Sequence, residues 1–189
     1  MKIGISLTSS LSVGQEYIDL TRTICELFAK EGFGIVYGGT EYGMMKELAE
    51  SYKQAGGKDL TGVMSHQLAG VTKGYKAFDN LDQALWVDTI GERISTISHN
   101  ADGLLILPGG YGTLEELGSM IGGKANKIYD KPIVILNYNG FYDHLIEFLD
   151  NMSEKNFSKI NIRDIVHVAD SMDGVLDYFK NYSTTVIPD

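Results

Sequence analysis

The sequence has little cysteine and no long apolar run, and both shortages restrict the kind of protein it encodes. Cys25 is the single cysteine among 189 residues, so no internal disulfide can form. That usage is typical of reducing compartments. No stretch reaches the roughly 20 apolar residues that a transmembrane helix needs, and the N-terminal run 1–7 is too short for the apolar region of a signal peptide. We therefore expect a cytoplasmic protein with no membrane partner.

Basic charge is also scarce. The chain has 16 Lys and Arg against 25 Asp and Glu, a formal net charge of -9, and its basic residues are scattered. This argues against a nucleic acid partner, which a positively charged surface would bind. Small anions remain compatible, because helix N-termini bind them without a basic surface. The apolar content of 43% is that of a globular protein, and the length predicts one domain over 1–183 with a short C-terminal tail at 184–189.

Short apolar runs alternate with longer amphipathic ones. This pattern predicts an α/β fold: one domain with a mostly parallel sheet of about seven strands and helices on both faces. Cys25 is predicted to lie on the first helix as a small apolar filler. The glycine-containing segment 56–76 is predicted to be an irregular loop over the sheet. The predicted strands are Lys2–Leu7, Gly34–Tyr37, Asp59–Met64, Ala84–Val87, Gly103–Leu107, Pro132–Leu136 and Ile165–Val168.

Polar and glycine-rich segments follow four of these strands, at 8–10, 38–43, 88–93 and 108–116. The loops at the carboxyl ends of parallel strands open on one edge of the sheet, where ligands bind. We therefore expect these four segments to face one cleft.

The segment 108–116 carries the strongest signal. Gly109, Gly110 and Gly112 let a ligand approach the backbone closely. Thr113 is predicted to open a helix, whose first N–H groups and dipole can hold a phosphate. The segment has neither the Gly-Lys-Ser/Thr of a Walker A loop nor the glycine that a dinucleotide fingerprint would have at 115.

A structural interpretation of the same residues stays open. Thr113 and Glu116 have the spacing of a capping box, in which Glu116 would only satisfy a backbone N–H. Thr89 and Glu92 have the same spacing. The histidines at 66, 99, 144 and 167 show no metal-ligand spacing, so we expect no metal site.

The residues 108–116, PGGYGTLEE, resemble the PGGxGTxxE signature of the LOG ("lonely guy") family, the cytokinin riboside 5'-monophosphate phosphoribohydrolases. Glu92 and Arg93 resemble the start of that family's ERK element, and Arg93 precedes Glu116 by 23 residues as in the family. The segments 36–45, 130–132 and 140–143 resemble its VYGGGxxGLM, DKP and GYYD elements. The resemblance covers nearly the whole chain.

The resemblance implies a Rossmann-like, usually dimeric protein that needs no cofactor. The implied reaction hydrolyses the N-glycosidic bond of a nucleoside 5'-monophosphate, AMP or an N6-modified AMP, to free base and ribose 5-phosphate. By position, Arg93 and Glu116 correspond to the catalytic pair. Arg93 has an alternative role, an ion pair on the surface of its helix. The residues assigned to substrate and phosphate binding are Ser9, Gly39, Gly109, Gly110, Tyr111, Gly112, Thr113 and Glu115.

The sequence also departs from the family pattern. Ile94 replaces the Lys of ERK, Thr40 replaces a glycine, and Ile121–Ala125 stands where a TWxQ element is usual. These departures leave the preferred base and cytokinin activity open. The small and apolar segment 117–123 is predicted to pack at a homodimer interface beside the active site, with packing on the chain's own sheet or a helix end at Gly122 as alternatives.

Two other functions compete with phosphoribohydrolysis. One is a non-catalytic nucleotide or cofactor carrier, similar to the molybdenum cofactor carrier proteins. The other is lysine decarboxylation, which requires a Schiff-base lysine with partners for pyridoxal phosphate, and no lysine of this sequence has such a setting.

Overall fold

The computed structural model describes residues 1–182 and places seven strands in one parallel sheet within a single α/β domain. From edge to edge the strand order is β4-β3-β2-β1-β5-β6-β7. All seven predicted strands are confirmed, with both ends within one residue of the prediction, and the predicted tail at 184–189 lies outside the described residues. The strands are β1 (Lys2–Ser6), β2 (Gly34–Tyr37), β3 (Leu60–Ser65), β4 (Gln83–Val87), β5 (Gly103–Ile106), β6 (Ile133–Leu136) and β7 (Val166–Ala169).

Helices cover both faces of the sheet. One face packs against the first, second and last helices, and the other against the fourth to the seventh. Between residues 1 and 182, no helix has both the length and the apolar content to cross a membrane. The helices are α1 (Gln15–Lys30), α2 (Gly43–Gln54), α3 (His66–Val71), α4 (Ile90–His99), α5 (Tyr111–Ala125), α6 (Asp143–Glu154), α7 (Ile162–Ile165) and α8 (Met172–Asn181), with a 3₁₀ turn at Tyr138–Gly140.

The central strands are continuous in Ile, Leu and Val because both of their faces are covered. Ile3 and Ile5 of β1 pack under α1, α2 and α8, whereas Leu104 and Ile106 of β5 pack under α4 and α5. Cys25 is fully buried in α1, which confirms its role as an apolar filler. Burial raises the pKa of its thiol well above the ordinary value, so the thiol is unreactive.

The loop predicted over 56–76 overlaps the strand predicted at Asp59–Met64, and the loop is wrong for most of its length. Residues 60–65 form β3, all of them buried, and residues 66–71 form α3. The Ser65 hydroxyl caps α3 by accepting a hydrogen bond from the Leu68 N–H at 3.1 Å. Gly62 is needed for packing, because a Cβ at this position would lie 2.7 Å from the Gly39 Cα.

The topology changes direction beside β1. The chain runs outward from β1 to β4 and then returns to place β5 on the other side of β1. The connections that leave β1 and β5 therefore diverge, because α1 lies on one face of the sheet and α5 on the other. A crevice at such a switch point is the usual ligand site of an open parallel sheet.

Candidate active site

Helix α5 begins two residues before the predicted start. Its first residue is Tyr111 and its N-cap is Gly110, so Thr113 lies within the first turn. Thr113 is buried against Gly109, where any side chain would overlap it. Its hydroxyl does not cap the helix, and the capping-box interpretation of Glu116 is wrong. The sequence could not reveal this, because the backbone of Gly110 itself turns the chain into the helix.

The second capping box is confirmed and orients Arg93. The Glu92 N–H donates to the Thr89 hydroxyl at 3.1 Å, and the Thr89 N–H donates to the Glu92 carboxylate at 3.2 Å. These bonds fix the first turn of α4, which ends at Arg93. Arg93 is only 6% exposed, so the alternative of an ion pair on the helix surface is wrong.

Arg93 and Glu116 form a buried ion pair between α4 and α5. The Nη1 of Arg93 lies 3.1 Å from the Oε1 of Glu116, and its Nε donates to the Val63 carbonyl at 2.9 Å. The side chains are 7% and 11% exposed. A guanidinium has five N–H donors. Arg93 therefore keeps donors for a ligand after aligning the carboxylate.

Burial raises the pKa of Glu116 above its ordinary value. The positive charge of Arg93 and its hydrogen bond oppose this rise, and the negative charge of neighbouring Glu115 adds to it. A carboxyl whose pKa is raised is a stronger base than an ordinary carboxylate and is suited to proton transfer.

The pair lies in the wall of a cleft of about 320 Å³ at the carboxyl edge of the sheet. The cleft is bounded by the connection after β1, the first turn of α4 and the start of α5, with one residue from α2. The first N–H groups of α5 have no acceptor within the helix and are free for an anion. The lining residues are Leu7, Thr8, Ser9, Met45, Arg93, Gly110, Tyr111, Gly112, Thr113 and Glu116.

Most of the predicted site residues meet in this cleft. Gly39 and Glu115 do not line it: Gly39, with a positive φ of 74°, packs against Gly62 and Met64, and Glu115 is exposed. Gly109 lies behind Thr113 and borders a neighbouring cavity.

Sequence reasoning missed several residues of the cleft. Leu7, Thr8 and Met45 line it, and Gly38 adjoins it because any side chain there would overlap the Nη2 of Arg93. Thr8 and Gly38 belong to segments that are expected to face the cleft. Only the contacts in the structure distinguish these two residues from the others in their segments.

The departures from the family pattern have structural roles. Ile94 is buried on the core side of α4. Thr40 is also buried, with its hydroxyl 3.2 Å from the Met45 sulfur. Helix α5 continues through Ile121–Ala125, so Gly122 is not a helix end.

A larger cavity of about 560 Å³ lies between α1 and α2, away from the Arg93–Glu116 pair. Two of the charged side chains in its walls, Arg22 and Glu47, pair with each other at 2.8 Å. Of these two cavities, the smaller cleft is the candidate site, because it holds a buried charged pair beside open backbone donors. Within residues 1–182, no group of three or more His, Cys, Asp or Glu side chains is arranged to hold a metal ion.

Comparison with protein families matches residues 45–179 to the model described as "Possible lysine decarboxylase". Among curated proteins, the chain is 29% identical over 187 residues to the cytokinin riboside 5'-monophosphate phosphoribohydrolase LOG4 of Arabidopsis thaliana, covering 96% of this chain and 83% of the relative. It is 29% identical over 168 residues to LOG2 of the same plant, covering 88% and 76%. A probable enzyme of the same name, LOGL2 of Oryza sativa subsp. japonica, is 32% identical over 164 residues, covering 84% of this chain and 63% of the relative.

Among solved structures, the chain resembles the Moco carrier protein from Chlamydomonas reinhardtii, with a TM-score of 0.68 and 20% identity over 95% of this chain and 94% of that one. It also resembles the molybdenum cofactor binding protein from Rippkaea orientalis, with a TM-score of 0.69 and 20% identity over the same shares. At such low identity these likenesses establish the fold alone.

Proposed function

Because this chain belongs to the family of the "Possible lysine decarboxylase" model, and its curated relatives are LOG phosphoribohydrolases, we propose that it is a nucleoside 5'-monophosphate phosphoribohydrolase. Its substrate is AMP or an N6-modified AMP, and its products are the free base and ribose 5-phosphate. The observation that carries the proposal is the buried pair of Arg93 and Glu116, 3.1 Å apart, in a cleft beside the open N-terminus of α5.

The geometry supports hydrolysis in one step. The phosphate binds to the free N–H groups at the start of α5, near Gly110 and Gly112. Glu116 accepts a proton from water, whose oxygen bonds to the ribose C1' while the C1'–N bond breaks and its electron pair leaves with the base, which takes up a proton. Positive charge develops on the ribosyl ring in the transition state, and the carboxylate stabilises it.

Arg93 orients the carboxylate of Glu116 and donates hydrogen bonds to the substrate. Its guanidinium is held by the Val63 carbonyl and by Glu116, so the carboxylate has a fixed direction. A planar fork of donors suits both tasks better than a flexible lysine ammonium would.

The family description also raises lysine decarboxylation, which the described residues of the cleft do not favour. None of those residues is a lysine, and a Schiff base with pyridoxal phosphate requires one. Lys124 is buried, but it donates to the Lys131 carbonyl at 2.9 Å and pairs with Asp130 at 3.5 Å, outside the cleft lining.

The test is a panel of nucleoside 5'-monophosphates assayed by chromatography for released base, with AMP and N6-substituted AMP as the leading candidates. We expect equal amounts of base and ribose 5-phosphate. Binding of AMP without release of adenine would assign the alternative, a non-catalytic carrier of a nucleotide or nucleotide-like cofactor.

We further propose that the protein is a cytoplasmic homodimer, with α5 at the interface beside the active site. Gly123 is explained within the chain, because a Cβ there would lie 2.6 Å from the Tyr129 hydroxyl. A Cβ added at Gly118 or Gly122 would meet nothing within 4 Å. Close approach of a second subunit explains them, since glycine otherwise weakens a helix by roughly 1 kcal/mol relative to alanine.

A further inference from the structure

A second cavity, of about 210 Å³, adjoins the cleft that holds Arg93 and Glu116. The two cavities share Thr8 and Gly110 as a common wall. The second cavity is bounded further by Val13, Tyr17 and Phe141. We call it the aromatic pocket.

Two of the seven lining residues are aromatic, and their rings are held in place. The rings of Tyr17 and Phe141 meet edge to face, with centroids 5.9 Å apart. Phe141 also packs edge to face on Tyr142 at 4.8 Å, and the Tyr142 hydroxyl donates to the Leu107 carbonyl at 2.8 Å. Phe141 is nevertheless 45% exposed, so part of its ring is available to a ligand. A cavity of roughly 150 Å³ suffices for benzene, so the pocket has room for one planar ring.

The order of features along the edge of the sheet determines what part of a ligand reaches this pocket. Arg93 and Glu116 lie on the side of α4 and α5, whereas Tyr17 belongs to α1 on the opposite face. Gly110, the N-cap of α5, lies between them and touches both cavities. A phosphate on the first N–H groups of α5 therefore separates the ribosyl carbon at Glu116 from the aromatic pocket.

We propose that the aromatic pocket binds a second planar group joined to the 5'-phosphate of the substrate. The substrate class then extends from AMP to nucleoside 5'-phosphate esters and dinucleotide-type anhydrides that contain the AMP moiety, and these bind more tightly than AMP itself. This proposal rests on the proposed function for the position of the phosphate. The reaction is unchanged: water adds to C1', the base leaves with a proton, and the phosphate linkage stays intact.

The test compares the phenyl and methyl esters of AMP. Both carry one negative charge on the phosphate, and only the phenyl ester has a ring to place on Phe141. Stacking of a ring on an aromatic side chain changes affinity by between about fivefold and a hundredfold, so we expect the KM of the phenyl ester to be lower by that factor. Phe141→Ala removes the difference and Phe141→Tyr keeps it. The control is Phe157→Ala, because Phe157 is 81% exposed and outside both cavities.

Two results would overturn the proposal. The first is an equal KM for the two esters. The second is a loss of affinity in the Phe141→Ala variant that is as large for AMP as for the phenyl ester. AMP has no second ring, so this result would place its base in the pocket. If no nucleotide releases base, the hydrolase assignment fails separately. Calorimetric dissociation constants for the two esters then test the pocket alone, with the same expected ratio, and equal constants refute it.

Discussion

Glu116 combines burial with a single cationic partner, and its charge is the property that the proposed chemistry uses. Glu116→Gln keeps an oxygen that accepts from Arg93 but cannot take a proton from water. General base catalysis contributes roughly 10²–10⁴-fold, so we expect base release from AMP to fall by about that factor while the circular dichroism spectrum is unchanged. Glu147→Gln, at an exposed carboxylate of α6, is the control. Turnover of Glu116→Gln at the wild-type rate would remove Glu116 from the catalytic assignment.

The raised pKa of Glu116 also predicts a pH profile. A general base acts only when ionised, so activity is full above its pKa and falls as the pH drops through it. Because burial raises that pKa, we expect the acid limb of kcat/KM at a higher pH than an exposed glutamate would give. Rates measured from pH 4 to 8 in buffers of constant ionic strength locate the limb. A profile that is flat down to the titration range of ordinary carboxylates would contradict this role.

Gly38 affects the position of Arg93 because it leaves room for the guanidinium. A Cβ at Gly38 would overlap the Nη2 of Arg93 and lie 2.8 Å from the Met45 sulfur. Gly38→Ala therefore displaces the guanidinium from Glu116. A misplacement of about 1 Å in an active site costs about 10²-fold in rate. Overpacking destabilises by roughly 1–3 kcal/mol, so the variant still folds.

The measurement for Gly38→Ala is kcat/KM for AMP together with the melting temperature. Gly70→Ala is the matched control, because a Cβ at Gly70 meets nothing within 4 Å. If Gly38→Ala retains full activity, Arg93 tolerates displacement and its alignment of Glu116 is not required.

At the scale of elements, the N-terminus of α5 is the proposed binding site of the substrate phosphate. Its free N–H groups and dipole favour an anion, and each hydrogen bond to a charged group contributes roughly 1.5–3 kcal/mol. We expect kcat/KM for AMP to exceed that for adenosine by at least about 10²-fold. Ribose 5-phosphate should inhibit competitively, whereas ribose should not. Equal constants for AMP and adenosine would exclude a phosphate site at this helix.

The central strands were predictable from sequence because burial on both faces leaves a continuous apolar run. β2, for example, begins and ends at the predicted residues. Helix starts were harder to predict. The Thr–x–x–Glu spacing correctly marked the start of α4 at Thr89, but at Thr113 the same spacing lies inside α5. In the segment 56–76, Gly56 and Gly74 have the positive φ of turn glycines, whereas Gly62 lies inside β3 and is required by packing.

The candidate site was predicted in part. The segments around the cleft, with Arg93 and Glu116, follow from motif spacing and from the direction of parallel strands. The bond between these two side chains follows from the relative positions of α4 and α5, which local sequence does not encode. For the same reason Met45 and the aromatic pocket were not predicted, because Tyr17 and Phe141 come from distant parts of the chain and meet only in the fold.

At the scale of the whole molecule, the exposed side of α5 is the proposed dimer contact. Leu114, Gly118 and Gly122 are four residues apart and therefore lie on one side of the helix. Leu114 is 41% exposed, and Tyr111 at the start of the helix is 93% exposed. Because Gly112, Thr113 and Glu116 of the same helix line the cleft, a second subunit on this side would lie next to the substrate.

Assembly can be tested at Gly118. A side chain there meets nothing within 4 Å in one chain, so Gly118→Arg leaves the folded monomer intact but places a large charge in the proposed interface. We expect light scattering at micromolar concentration to give the mass of two chains for the wild type and of one for Gly118→Arg. Gly70→Arg, on α3, keeps the wild-type mass. A wild-type mass of one chain would refute the interface, and Gly118→Ala would then only stabilise α5, by up to about 1 kcal/mol.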